Sequence, residues 1–265
     1  MLLQKSLVIS CIGSLLLGCT TVETTNNFTA DGKSIAYFER KGSAPTIIFE
    51  SGLGDDKGKW SQVIDQLPVE TAIFAYDRPG YGGSDESWNS RAPCDIATEL
   101  HELLEAEKIN PPYILVAHSI GGLYAYCFDR LYHKNVVGLV LLDPSHPRQW
   151  VEIQQNAPTL ATLVKGLRAT LFTDTMRAEF DTQAASNNLL EDSVVSNTPT
   201  VFIFSGQRRP EELGSFTILL EELRKDWQTR FSNRQVWNAE NTGHYIQTEN
   251  PEKVVEAINA LTKAY

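Results

Sequence analysis

A doubly wound, mostly parallel α/β sheet is the fold this sequence predicts, on three observations. Short apolar, partly β-branched runs recur at residues 46–50, 71–76, 113–117, 136–142 and 200–205. Each lacks the apolar/polar alternation of a half-exposed strand, which suits strands buried on both faces. Helical stripes, with apolar residues three and four apart, stand between most of these runs, and glycine, proline or aspartate turns join the two. Strand–helix alternation of this kind gives a parallel sheet covered by helices on both sides. Right-handed crossovers then restrict it to a doubly wound topology. A chain of 265 residues, 42% hydrophobic and 21% charged, is long enough to bury one such core.

Taken in order, residues 34–40 alternate Ile35 and Tyr37 with Ala36 and Phe38 and read as an outer strand. The 46–50 strand runs into Ser51-Gly52-Leu53-Gly54-Asp55, ahead of a helix around Trp60, Val63, Ile64 and Leu67. The 71–76 strand closes on Asp77-Arg78-Pro79-Gly80-Tyr81-Gly82-Gly83-Ser84. Residues 94–105 are helical, with Ile96, Leu100, Leu103 and Leu104 on one face. After the 113–117 strand comes His118-Ser119-Ile120-Gly121-Gly122, and Leu123, Tyr124, Ala125, Tyr126 and Phe128 then read as helix. The 136–142 strand is stopped by Asp143-Pro144. Residues 145–199 break the rhythm: they carry a helical stripe (Leu160, Leu163, Val164, Leu167, Leu171) and no buried strand, and read as an inserted helical lid. The sheet resumes at 200–205, followed by a helix with Leu213, Phe216, Leu220, Leu223 and Trp227 and a last strand around 235–237. Asn250 caps the final helix and Pro251 takes its first position, with Val254, Val255, Ile258 and Leu261 facing inward.

The first residues read as a targeting segment outside the fold. Lys5 precedes an apolar stretch, residues 7–17, that is short for a bilayer span. It ends Leu16-Leu17-Gly18-Cys19, which resembles the lipobox of bacterial lipoprotein signal peptides. The resemblance implies a signal peptide over 1–18, a lipid on Cys19, and attachment to a membrane of the cell envelope, the outer one in a Gram-negative cell. Residues 19–27 then form a polar tether, and 28–265 the folded domain with its lid at 145–199. The formal net charge of −10, with no Lys/Arg run, argues against a nucleic-acid partner. Cys94 and Cys127 either pair or sit as buried small hydrophobes, and neither has metal-ligand spacing. No phosphate loop or dinucleotide fingerprint is present, so neither cofactor nor metal is expected.

A strand that turns into a helix within a few residues needs small neighbours around one exposed residue, here Ser119. Ala117-His118-Ser119-Ile120-Gly121 resembles the G-x-S-x-G nucleophile elbow of the α/β-hydrolase superfamily, with Ala117 at the first glycine. A serine hydroxyl attacks only when a base takes its proton. The superfamily's order of Ser, acid, His implies that this base is His244, in Asn241-Thr242-Gly243-His244-Tyr245 after the last strand. His118 is expected to point away, His101 and His133 fall on helices, and His146 enters the lid. The acid has two open placements. One follows the 200–205 strand, where the first carboxylates are Glu211 and Glu212; the other is one strand earlier, at Asp143, and is the reading taken here. The resemblance puts the oxyanion donors on the backbone N–H groups of Leu53 and Ile120. The Asp77–Ser84 stretch is similar to the superfamily's D-x-x-G-x-G-x-S turn and reads as structural.

What this resemblance implies is a serine hydrolase of carboxylic esters or thioesters, acting on a small-molecule acyl substrate through an acyl-enzyme. Serine at the elbow argues against haloalkane dehalogenases and epoxide hydrolases, which carry aspartate there. An aminopeptidase of the proline-iminopeptidase type or an acyltransferase would share the chemistry. The aminopeptidase would need a lid carboxylate for the substrate amine, from Glu152, Glu179, Asp181 or Glu191. A catalytically silent envelope binding module would carry a damaged serine or histidine, and both are intact.

Overall fold

The strand ahead of Ser119 is buried at every residue and lies inside an eight-stranded sheet. In chain order the strands are β1 Asn26–Ala30, β2 Lys33–Arg40, β3 Ser43–Glu50, β4 Thr71–Tyr76, β5 Tyr113–His118, β6 Val136–Leu142, β7 Thr200–Ser205 and β8 Arg234–Ala239. Across the sheet they run β1-β2-β4-β3-β5-β6-β7-β8. The first two pairings are antiparallel and the others parallel. These features come from a computed structural model, which describes residues 26–30, 33–86, 89–185, 194–207 and 215–265. Cys19 and its signal segment, Glu191, Glu211 and Glu212 lie outside the described residues.

The helices are α1 Ser61–Gln66, α2 Pro93–Ala106, α3 Gly121–Tyr132, α4 Gln149–Asn156, α5 Pro158–Leu171, α6 Asp174–Thr182, α7 Ser215–Thr229, α8 Ile246–Glu249 and α9 Pro251–Ala264. The two-residue period of β5 divides the core between them. Ile114 and Val116 join a cluster with Val63 and Ile64 of α1 and Val254, Ala257 and Ile258 of α9. Leu115 and Ala117 face the other way, toward Leu100 and Leu104 of α2, Leu123 of α3 and Trp227 of α7. Burial on both faces is why β5 reads as an unbroken apolar run. A disulfide between Cys94 and Cys127 ties α2 to α3, choosing between the two fates open to that pair.

The chain leaves β3 toward β4 on one side, and β5 lies on the other, so the order reverses between β3 and β5. In open α/β sheets the crevice outside the carboxyl ends of the strands at this reversal is where reacting groups gather. Ser51–Asp55 and Ser119 follow these two strands.

Two details differ from the sequence reading. Asn26 and Asn27, read as the end of a tether, are the first residues of β1 and pair with Tyr37 and Ala36, so β2 has a strand outside it. In the inserted segment α4, α5 and α6 are helical as expected, but the α5 stripe is not fully covered. Leu163, Leu167 and Leu171 are 54%, 42% and 69% exposed. A stripe shows which side of a helix is apolar and not how much of that side is packed; here a smaller cluster of Ile153, Ala161, Phe216 and Leu220 joins α4 and α5 to α7.

Candidate active site

Ser119 has φ +55°, a left-handed conformation that costs a non-glycine residue on the order of 1–3 kcal/mol. The surrounding backbone holds it there. Its N–H donates to the Leu142 carbonyl at 3.0 Å, and its carbonyl accepts from Gly122 and Ser145 N–H, each at 3.0 Å. Gly121 is required by close approach: a Cβ there would lie 2.7 Å from the Ser51 carbonyl oxygen and 2.8 Å from that of Glu50. Ala117 is fully buried in the core, so its methyl is accommodated where the motif has glycine.

The loop between β8 and α8 brings His244 to this turn. Its Nε2 is 3.1 Å from Ser119 Oγ and its Nδ1 is 2.8 Å from Asp143 Oδ2. A carboxylate only accepts, so Nδ1 carries the proton and Nε2 presents a lone pair to the serine hydroxyl. Behind the ring, His118 Nε2 lies 2.9 Å from the His244 carbonyl oxygen. Burial pushes the His118 imidazole down, so it is neutral and donates through Nε2. It lines neither of the cavities that hold Ser119 and buttresses the loop that presents His244.

Asp143 directly follows β6 with φ +42°, its N–H donating to the Ile203 carbonyl at 2.9 Å. Oδ1 accepts from Arg224 Nη2 at 2.5 Å and Oδ2 from Ser205 Oγ at 3.0 Å. Burial disfavours the charged carboxylate, but the bond to His244, the Arg224 charge and Ser205 outweigh it, and the carboxyl is held well below the usual range. It is therefore ionised at neutral pH. Arg224 and Ser205 were not singled out from sequence. Arg224 lies on the α7 stripe as an ordinary helix charge, and no spacing rule links it to a residue 81 positions away.

Two cavities meet at Ser119. One, of about 300 Å³, is mostly apolar; Trp150, Ile153, Leu163, Leu167, Phe172 and Phe180 from the inserted segment line it. Leu53 and Ile120 stand in its wall, and among the described residues neither backbone N–H donates a hydrogen bond. The other, of about 140 Å³, is polar, and Asp143, His146, Gln149, Arg224 and His244 line it. None of the lid carboxylates within the described residues lines either cavity. Glu179 is buried in ion pairs with Arg78 and Arg91, Asp181 pairs with Arg168, and Glu152 accepts from Asn156. An aminopeptidase's amine-holding carboxylate therefore has no support among them.

Residues 47–257 match the alpha/beta hydrolase family. The chain belongs to that family. Among curated proteins, the α/β-hydrolase chain is 36% identical over 119 residues to uncharacterized protein YqjL of Bacillus subtilis, covering 44% of this chain and 47% of that one. It is 30% identical over 108 residues to the human monoacylglycerol lipase ABHD6, covering 40% and 32%. The chain thus spans less than half the length of these two relatives. Among solved structures, a thermophilic esterase from Thermogutta terrifontis superposes with a TM-score of 0.64 at 17% identity, covering 91% of this chain and 98% of that one. At that identity the likeness is one of fold. Family and fold make the protein an α/β-hydrolase, as the elbow residues implied.

Proposed function

We propose that this α/β-hydrolase is a serine hydrolase of carboxylic esters or thioesters. Ser119 Oγ attacks the acyl carbon as His244 Nε2 takes its proton, and Asp143 holds the imidazole in the required tautomer. The Leu53 and Ile120 N–H groups receive the oxyanion. The proton on His244 then passes to the leaving oxygen or sulfur, and water repeats the sequence to free the acid. The single observation that carries this reading is the unbroken chain from Asp143 through His244 to Ser119, 2.8 and 3.1 Å long in its two links. That a relative is named a monoacylglycerol lipase supports ester chemistry.

The two cavities orient the substrate. The proposed oxyanion donors stand in the apolar one, while His244, which must reach the leaving group, lines the polar one. The acyl chain then lies under the inserted helices and the small polar leaving group beside Gln149 and Arg224. Assaying p-nitrophenyl esters of increasing chain length beside amino-acid anilides tests the class. Ester turnover that rises with chain length supports it, and anilide turnover without ester turnover contradicts it.

The inserted helices, within residues 145–199, set chain-length preference in this account. Leu163→Ala or Leu167→Ala is expected to shift that preference toward longer chains while an acetate ester turns over within about threefold of wild type, under 1 kcal/mol. An unchanged preference profile would place the acyl pocket elsewhere.

Anchoring through Cys19 is part of the proposal and rests on Leu16-Leu17-Gly18-Cys19 alone. Cys19→Ala is expected to release the protein from the membrane fraction or block its processing. A substituted protein of unchanged mass that still sediments with membrane would remove the anchor from the account.

A further inference from the structure

Arg78, in the turn after β4, is 2% exposed and its guanidinium reaches both β3 and the inserted helices. Nη1 donates to the Ser51 carbonyl at 2.6 Å and to Glu50 Oε1 at 2.7 Å, and Nη2 donates to the Gly52 carbonyl at 2.8 Å. The Gly52 carbonyl and the Leu53 N–H belong to one planar trans peptide, so they point in opposite directions. Holding that carbonyl therefore fixes the opposite direction of the Leu53 N–H, and Leu53 stands in the wall of the cavity beside Ser119. A cationic donor on the carbonyl also polarises the peptide and strengthens the N–H as a donor.

The other side of the guanidinium is held by Glu179, from α6 and 0% exposed. Its Oε1 accepts from Arg78 Nε and its Oε2 from Arg78 Nη2, both at 3.1 Å. Arg91 Nη2 donates to Oε1 at 3.1 Å, and Tyr81 and Tyr124 hydroxyls donate to Oε2 at 2.9 and 3.2 Å. Burial raises the carboxyl, but the charge of Arg78, its hydrogen bonds and Arg91 outweigh that, and Glu179 is held below its ordinary value. The first turn of α6 also touches both loops. A Cβ on Gly80 would lie 2.2 Å from Thr175 Oγ1, and one on Gly54 would lie 3.1 Å from Met176 Cε.

We propose that Glu179, acting through Arg78, is a positioning residue for the oxyanion site, so that the inserted helices complete the catalytic apparatus as well as cover it. The inference rests on the serine-hydrolase reading. Glu179→Gln keeps the size of the side chain but removes a charge shared by two arginines and turns an N–H₂ toward one of them. Arg78 is then drawn toward Glu50, the Gly52 carbonyl keeps only its long 3.4 Å bond from the Asp55 N–H, and the Leu53 N–H is held less firmly.

The test compares wild type and Glu179→Gln, each titrated with a fluorophosphonate so that rates are per active site. Turnover of a short p-nitrophenyl ester is expected to fall at least tenfold with KM within about twofold. Binding of a trifluoromethyl ketone should weaken by the same factor as kcat/KM. That ketone accepts the serine oxygen at its carbonyl carbon while the carbonyl electrons move to oxygen and His244 takes the proton, so it reports the oxyanion site directly. A merely structural role would lower the titratable fraction and the melting temperature and leave these per-site values unmoved; that outcome overturns the proposal. If Glu179→Gln does not fold, Tyr81→Phe, which removes one hydroxyl donor to Glu179 Oε2, is read in the same way. A parallel loss of at least threefold in kcat and in ketone affinity supports the proposal, and unchanged values overturn it. A wild-type protein that no fluorophosphonate titrates would overturn the serine-hydrolase reading itself.

Discussion

Ser119→Ala is expected to lower ester turnover by on the order of 10⁵–10⁶, the scale on which nucleophile removal acts in a serine protease, while the fold persists. The turn supports the second half of this expectation. Its geometry is fixed by the hydrogen bonds of the Ser119 backbone to Leu142, Gly122 and Ser145, none of which uses the hydroxyl. The lost Oγ removes one bond to His244, on the order of 1 kcal/mol, so the melting temperature should stay within a few degrees. Fluorophosphonate labelling should vanish with activity. Labelling that survives the substitution would place the nucleophile elsewhere.

Asp143→Asn is expected to cut turnover by on the order of 10²–10⁴, by analogy with the roughly 10⁴ lost when a protease triad aspartate becomes asparagine. Arg224 sharpens the argument. An asparagine at 143 keeps its carbonyl oxygen toward the Arg224 cation, 2.5 Å from Oδ1 in the native protein, and so turns its N–H₂ toward His244 Nδ1. That forces the proton onto Nε2, the nitrogen that must accept from Ser119. Ground-state binding does not pass through this carboxylate, so KM should change little. Glu211→Gln and Glu212→Gln should stay within about tenfold of wild type, or ~1.4 kcal/mol. Steady-state rates of the three purified variants decide the acid. If Asp143→Asn stays active while either glutamate variant collapses, the acid sits after β7.

Much of the sheet was legible because the parallel strands are buried on both faces and read as apolar runs. β1 was not: Asn-Asn-Phe-Thr-Ala is five residues long with one large apolar side chain, Phe28, too little to stand out from the polar stretch before it, and its place is set by pairing with β2. The elbow could be read from a strained strand-to-helix turn of small residues, whereas the loop of His244 was reached through the superfamily's order of nucleophile, acid and base. Asp143 stayed open against Glu211 and Glu212 because a carboxylate at a strand end has many uses. Only the 2.8 Å contact with His244 separates this one from a turn residue. Arg78 looked like part of a glycine turn and Glu179 like one lid carboxylate among several. Their pairing joins residues 101 positions apart, and no periodicity records such a contact. The α5 leucines mark the opposite limit, an apolar stripe only partly covered by its neighbours.

An acyl group that passes through Ser119 leaves a covalent adduct that can be weighed. The protein is mixed with a p-nitrophenyl ester, quenched in acid within the first turnovers, digested, and its peptides weighed. The account predicts the acyl mass on the peptide holding Ser119, formed in step with a burst of about one nitrophenol per active site and lost again on longer incubation. Turnover with no acylated peptide, or with the adduct on any other residue, would contradict it.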